Sequence, residues 1–172
     1  EGTIFTQQTA FPQSSTTTFQ VEGKQRNFTL RLRYPSWTTK MEVKVNGRKV
    51  KAVKGTDGYV AISRLWKAGD QVEVNFGMKL REESTKDDAS KVALVYGPIV
   101  MAGKLDAVEH PFCDPTKYND YYTFDFKIPA ATVEKAKYDG LKNIKNFKTK
   151  QGIELVPFYD AHYCRYVVYW QK

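Results

Sequence analysis

Apolar and polar residues alternate along most of the first hundred positions. Phe28, Leu30 and Leu32 fall on one side of an extended chain, and Thr29, Arg31 and Arg33 fall on the other. That period of two is the mark of a half-buried strand. Pro35 ends the run, because it lacks the N–H a ladder needs. Met41, Val43 and Val45 form the next inward face, followed by Asn46-Gly47. That dipeptide accepts the positive φ angles of a tight type I′ turn, so 41–45 and 48–53 are predicted to pair as a hairpin. Further strands are predicted over 58–63, 70–76, 91–96 and 99–102, the last two split by Gly97-Pro98. Short strands at this spacing, with turn residues between them, predict an all-β, antiparallel β-sandwich.

After Gly103 the texture changes, and three segments are expected. Residues 1–103 form the main sandwich. Residues 104–152 are a smaller loop-rich appendage inserted before the last strand, with a strand over 122–128 and a short helix over 131–138. Residues 153–172 return to the main sandwich as an inner strand, because Val156 to Trp170 is apolar and aromatic on both faces. The acids Glu82-Glu83 and Asp87-Asp88 fall in what reads as a polar linker after Arg81.

Composition agrees with a β fold, since aromatic residues make up 14% of the chain and Tyr and Phe favour strands. The net charge of +8 raises the possibility of a nucleic-acid partner. The cations are dispersed, however, and alternate with apolar residues as Arg31 and Arg33 do. That is the solvent face of a strand, so no nucleic-acid partner is expected. No stretch approaches the ~20 apolar residues of a membrane span, so none is expected either. Cys113 and Cys164 are too few for a disulfide framework or a zinc site. One bridge and two free thiols both remain open. The opening Glu1-Gly2-Thr3-Ile4, without an initiator Met, suggests a piece of a longer protein or a processed product.

The usual catalytic constellations are missing from the sequence. It has no phosphate-binding GxxxxGK[ST] and no G-x-S-x-G elbow. His110 and His162 are its two histidines, with no metal-ligand spacing. His162 and Cys164 lie two apart, without a third group to orient them as base and nucleophile. No catalytic and no metal residue is therefore expected. The remaining candidates are planar side chains suited to packing against another domain or stacking on a sugar: Arg33, Trp37, Tyr59, Arg64, Trp66, His162, Arg165 and Tyr166.

Three ordered stretches carry a family resemblance. Leu32-Arg33-Tyr34-Pro35-Ser36-Trp37 is followed by Val45-Asn46-Gly47. Gly58-Tyr59-Val60-Ala61-Ile62 leads to Arg64-Leu65-Trp66-Lys67-Ala68-Gly69-Asp70. Val92-Ala93-Leu94-Val95-Tyr96-Gly97-Pro98 completes the set, with Gln8-Thr9-Ala10-Phe11-Pro12 before it and Leu155 to His162 after it. Together they resemble the β-sandwich region of glycoside hydrolase families 127 and 146, the β-L-arabinofuranosidase-like enzymes. The resemblance implies a bacterial parent with a catalytic (α/α)6 barrel upstream, acting outside the cytoplasm in the periplasm or medium. It also implies a zinc-bound Cys nucleophile in that barrel, for which this chain has no counterpart, so no cofactor is expected here. The expected partner is the barrel of the same polypeptide. A plant cell-wall glycan bound by exposed aromatics, or an acidic partner of a freestanding adhesion sandwich, are the alternatives.

Overall fold

The computed structural model describes residues 2–104, 147–148, 153–162 and 166–171. They belong to two compact units, Glu1–Lys79 and Leu80–Lys172.

The first unit contains seven strands: β1 (Thr3–Thr9), β2 (Thr16–Gly23), β3 (Arg26–Arg33), β4 (Met41–Val45), β5 (Arg48–Val50), β6 (Tyr59–Trp66) and β7 (Gln71–Phe76). Five of them make an antiparallel sheet in the order β1-β2-β7-β4-β5, and β3 pairs with β6 in a second sheet of two strands. The predicted alternation sets their register. Val43 lies opposite Val74 and Val45 opposite Val72, while Leu32 faces Val60 across the smaller sheet. Val21, Met41, Val43, Val45, Val72 and Val74 from the larger sheet meet Leu32, Val60 and Trp66 from the smaller one in a single buried core. Rings bridge the layers: Phe5 of β1 meets Phe28 of β3 at 5.7 Å and Trp66 of β6 at 5.6 Å, both edge-on. This is the two-layer solution that buries one face of each sheet. Asn46 (φ 51°) and Gly47 (φ 75°) form the predicted turn between β4 and β5.

The second unit is built on β8 (Leu80–Ser84), β9 (Lys91–Tyr96) and β10 (Ile99–Lys104), joined by β11 (Phe147–Lys148), β12 (Glu154–Pro157), β13 (Tyr166–Val167) and β14 (Tyr169–Gln171). Gly97, at φ 55°, makes the tight turn between β9 and β10. β10 pairs with β9, β12 and β13, and β9 pairs with β8 and β14. Val92, Leu94, Met101, Ala102, Leu155 and Trp170 are buried. At Gly103 the ring of Trp170 occupies the place a Cβ would take, with Ile153 close beside it.

Several expectations change. The division falls at Lys79/Leu80, ahead of the change in texture at 103/104, because β9 and β10 pair with β8 and with the C-terminal strands. Residues 82–84 belong to strand β8, where a polar linker after Arg81 is expected. Their polar side chains mislead, since backbone pairing with β9 holds them in the sheet while Glu82, Glu83 and Ser84 face solvent. The segment Val156 to Trp170 is no single inner strand. Past Pro157, which has no N–H for a ladder, the chain makes a 3-10 turn over Phe158–Asp160, and β13 and β14 follow. Tyr166 and Tyr169 remain about half exposed. The strand predicted over 122–128, the helix over 131–138 and Cys113 and Cys164 lie outside the described residues.

Candidate functional site

The candidate residues of the first unit fall into three places, and only one has the shape of a site. Arg64 and Trp66 share the inward face of β6. Trp66 is fully buried, and its Nε1 donates to the Phe28 carbonyl at 3.1 Å. The Arg64 guanidinium lies 5.1 Å from the Trp66 ring centroid and 3.4 Å from the Asp70 carboxylate. Asp70 is 1% exposed. It also accepts from Asn46 Nδ2 at 2.8 Å and from the Lys67 N–H at 3.1 Å. Burial pushes its carboxyl up, but these hydrogen bonds and the charges of Arg64 and Lys67 outweigh burial and hold it below the usual value. The partners of Asp70 all come from within the first unit, and the cluster joins two turns. Trp66, having no exposed surface, is corrected from a contact or sugar-stacking candidate to a core residue.

The second place is the outer face of the smaller sheet. Arg33 and Tyr59 are register partners there, with Arg31 opposite Ala61. Arg31 lies 4.9 Å over the Tyr59 ring and pairs with Asp57. Tyr59 and Leu65 are both exposed on this face. It is a polar surface with one aromatic, and no cleft is formed.

The third place is an apolar groove of about 320 Å³. Phe11 stacks on Trp37 at 5.9 Å with 26° between planes, and Phe76 meets Trp37 at 5.6 Å and Phe11 at 6.1 Å. Met41 and Val74 supply the floor, with Thr17, whose Oγ1 accepts from Gln7 Nε2 at 2.9 Å. Arg33 stands on the rim. The structure thus brings Arg33 and Trp37 together. Sequence reasoning missed Phe11 and Phe76, which complete the aromatic wall. Phe76 ends an apolar alternation and reads as core, and Phe11 sits in a connection where periodicity carries no signal.

In the second unit, His162 is exposed, and Tyr166, also exposed, meets Phe158 edge-on at 5.4 Å. Arg165 lies outside the described residues. Asp88 accepts from the Ser90 N–H at 2.9 Å within a turn, and Arg81 engages the Gly97 carbonyl and Glu83. Among the described residues, no three His, Cys, Asp or Glu side chains converge as metal ligands. No helix among them is long and apolar enough to cross a membrane.

The first unit is thus an antiparallel β-sandwich with a buried carboxylate held by its turns and an apolar groove. Residues 1–78 match the family model described as Beta-L-arabinofuranosidase, GH127 middle domain. No curated relative matches the sequence. Among solved structures, the chain is similar to a GH127 beta-L-arabinofuranosidase from Geobacillus stearothermophilus T6, at 24% identity and a TM-score of 0.65, covering 98% of this chain and 30% of that one. It is also similar to a GH127 beta-arabinofuranosidase, at 23% identity and a TM-score of 0.63, covering 96% and 31%. A third, titled a glycoside hydrolase, has 17% identity and a TM-score of 0.60, covering 98% and 34%. The chain therefore spans about a third of the length of the structures it matches.

Proposed function

We propose that this chain is a non-catalytic β-sandwich module of a larger glycoside hydrolase, which packs on and stabilises a catalytic (α/α)6 barrel elsewhere in the same polypeptide. The observation that supports this most is the match of residues 1–78 to a GH127 middle domain, which ends where the first compact unit ends. The solved structures support it too, since proteins titled as arabinofuranosidases contain this whole fold as about a third of their length. In this reading the bond-breaking residues and any zinc they hold belong to the barrel, and the parent works in the periplasm or outside the cell. The first unit contributes buried hydrophobic area and turns locked by Asp70, which suit a rigid support.

A two-chain reconstitution tests the role. The remainder of the parent polypeptide is expressed separately and mixed with this chain, and association is read by size-exclusion chromatography. A stoichiometric complex in which the larger piece melts at higher temperature is expected. Two pieces that migrate independently, with unchanged melting, would remove the role.

A further inference from the structure

The smaller sheet of the first unit has, among the described residues, an unpaired edge at β3. Tyr34 N–H donates to the Gly58 carbonyl at 2.9 Å, and this pair follows Arg33↔Tyr59 in the ladder. Hydrogen-bonded and non-bonded pairs alternate along an antiparallel ladder. Arg33, Arg31 and Thr29 are therefore non-bonded positions whose N–H and C=O groups point away from β6. Among the described residues no strand pairs with that edge of β3. The apolar groove takes Leu32 and Arg33 from β3 and no residue from β6, so it lies along this same edge. Thr17, Phe19, Met41, Val74 and Phe76 carry its lining onto the larger sheet.

The chemistry of an occupant follows from the period of two. Side chains of an added strand that share the Leu32 face would enter the groove, against Phe11, Trp37, Met41 and Phe76, and must be apolar. Those that share the opposite face would lie beside Arg31 and Arg33. Arg31 pairs with Asp57, whereas Arg33 is exposed and has no ion pair among the described residues. Its cross-strand neighbour is best a carboxylate, since opposite charges across strands attract. A second copy of β3 would set arginine against arginine, which disfavours self-pairing at this edge.

We propose that the open edge of β3 and the groove beside it bind an extended polypeptide segment of alternating apolar and acidic residues, added as a further strand. Backbone hydrogen bonds would supply affinity, and the groove and Arg33 would supply register and selectivity. The proposal stands apart from docking on a barrel.

The probe is an acetylated, amidated peptide of alternating valine and glutamate, about seven residues long to match a typical strand. It is titrated by calorimetry into the full 172-residue chain, with amide hydrogen exchange read in parallel. Saturable binding is expected, with slowed exchange at the Arg31 and Arg33 amides. Replacing glutamate by lysine should weaken binding by at least about tenfold, and so should N-methylating the backbone N–H groups that would face β3, tested in both registers. In Arg33→Glu, whose melting should be unchanged because the side chain is exposed, the order of the glutamate and lysine peptides should reverse. No binding of the valine–glutamate peptide, or equal binding of the lysine or N-methylated forms, would overturn the proposal.

Discussion

Asn46 Nδ2 donates to Asp70 Oδ1 at 2.8 Å, while Asn46 Oδ1 accepts from the Gln71 N–H at 2.8 Å. One amide in the β4–β5 turn thus clasps both residues that lead into β7. The backbone reinforces the clasp, with Asn46 N–H donating to the Gln71 carbonyl and Val21 N–H to the Asp70 carbonyl, both at 2.9 Å. Asp70→Ala leaves the Asn46 amide, the Lys67 N–H and Arg64 without their shared acceptor. A loss of about 1–2 kcal/mol is expected, because these part-buried donors lose a charged acceptor but can turn to water. Urea unfolding of the purified chain measures it, and a loss within error of zero would mean water replaces the carboxylate freely.

The same carboxyl gives the fold an acid limb. Its folded pKa lies below the ordinary value because hydrogen bonds and nearby cations outweigh burial. A depressed carboxyl contributes stability that is complete above its unfolded value of about 3.9 and is lost as pH falls through the folded value. Asp70→Asn should therefore have a flatter stability profile than the native chain below about pH 4. Chemical denaturation at a series of pH values checks this, and parallel profiles would assign the acid limb to other groups.

Trp66 connects both layers of the first unit, touching Phe5 at 5.6 Å and Phe28 at 6.1 Å while its Nε1 satisfies the Phe28 carbonyl. Trp66→Ala should cost about 3–5 kcal/mol, and Trp66→Phe less, because the smaller ring leaves a smaller cavity but still loses the hydrogen bond. Denaturation midpoints of the two variants test that order.

In the second unit, Gly103 and Trp170 are coupled by space. A methyl at 103 falls on the indole's outer ring. Gly103→Ala should cost about 1–3 kcal/mol through overpacking. Trp170→Phe, which shortens the ring, should make the alanine better tolerated. A double-mutant cycle would then show a coupling of about 0.5 kcal/mol or more, whereas additive losses would deny the contact.

The legible parts of the fold are those where alternation and turn chemistry agree. Val43 and Val45 with Asn46-Gly47 define a hairpin because an inward valine face and a positive-φ turn permit one register. Gly97 likewise separates β9 from β10. β1 and β2 were hidden because Thr and Gln fill most of their positions, so the two faces differ little in polarity; backbone pairing and the Phe5 and Val21 contacts make them strands. β8 is hidden because Arg81, Glu82, Glu83 and Ser84 make both of its faces polar. The C-terminal run misled in the other direction, since Phe158, Tyr159, Tyr166 and Tyr169 are aromatic and yet exposed. Of the groove, Arg33 and Trp37 were legible as planar side chains near a strand end. Phe11 and Phe76 were not, because their meeting depends on how a connection folds back over the larger sheet.

The proposal that this chain supports catalysis without performing it is tested most directly by incubating the purified 172-residue chain with para-nitrophenyl β-L-arabinofuranoside and following phenolate release. Release indistinguishable from buffer is predicted. Steady turnover that scales with protein concentration and disappears on unfolding would contradict it.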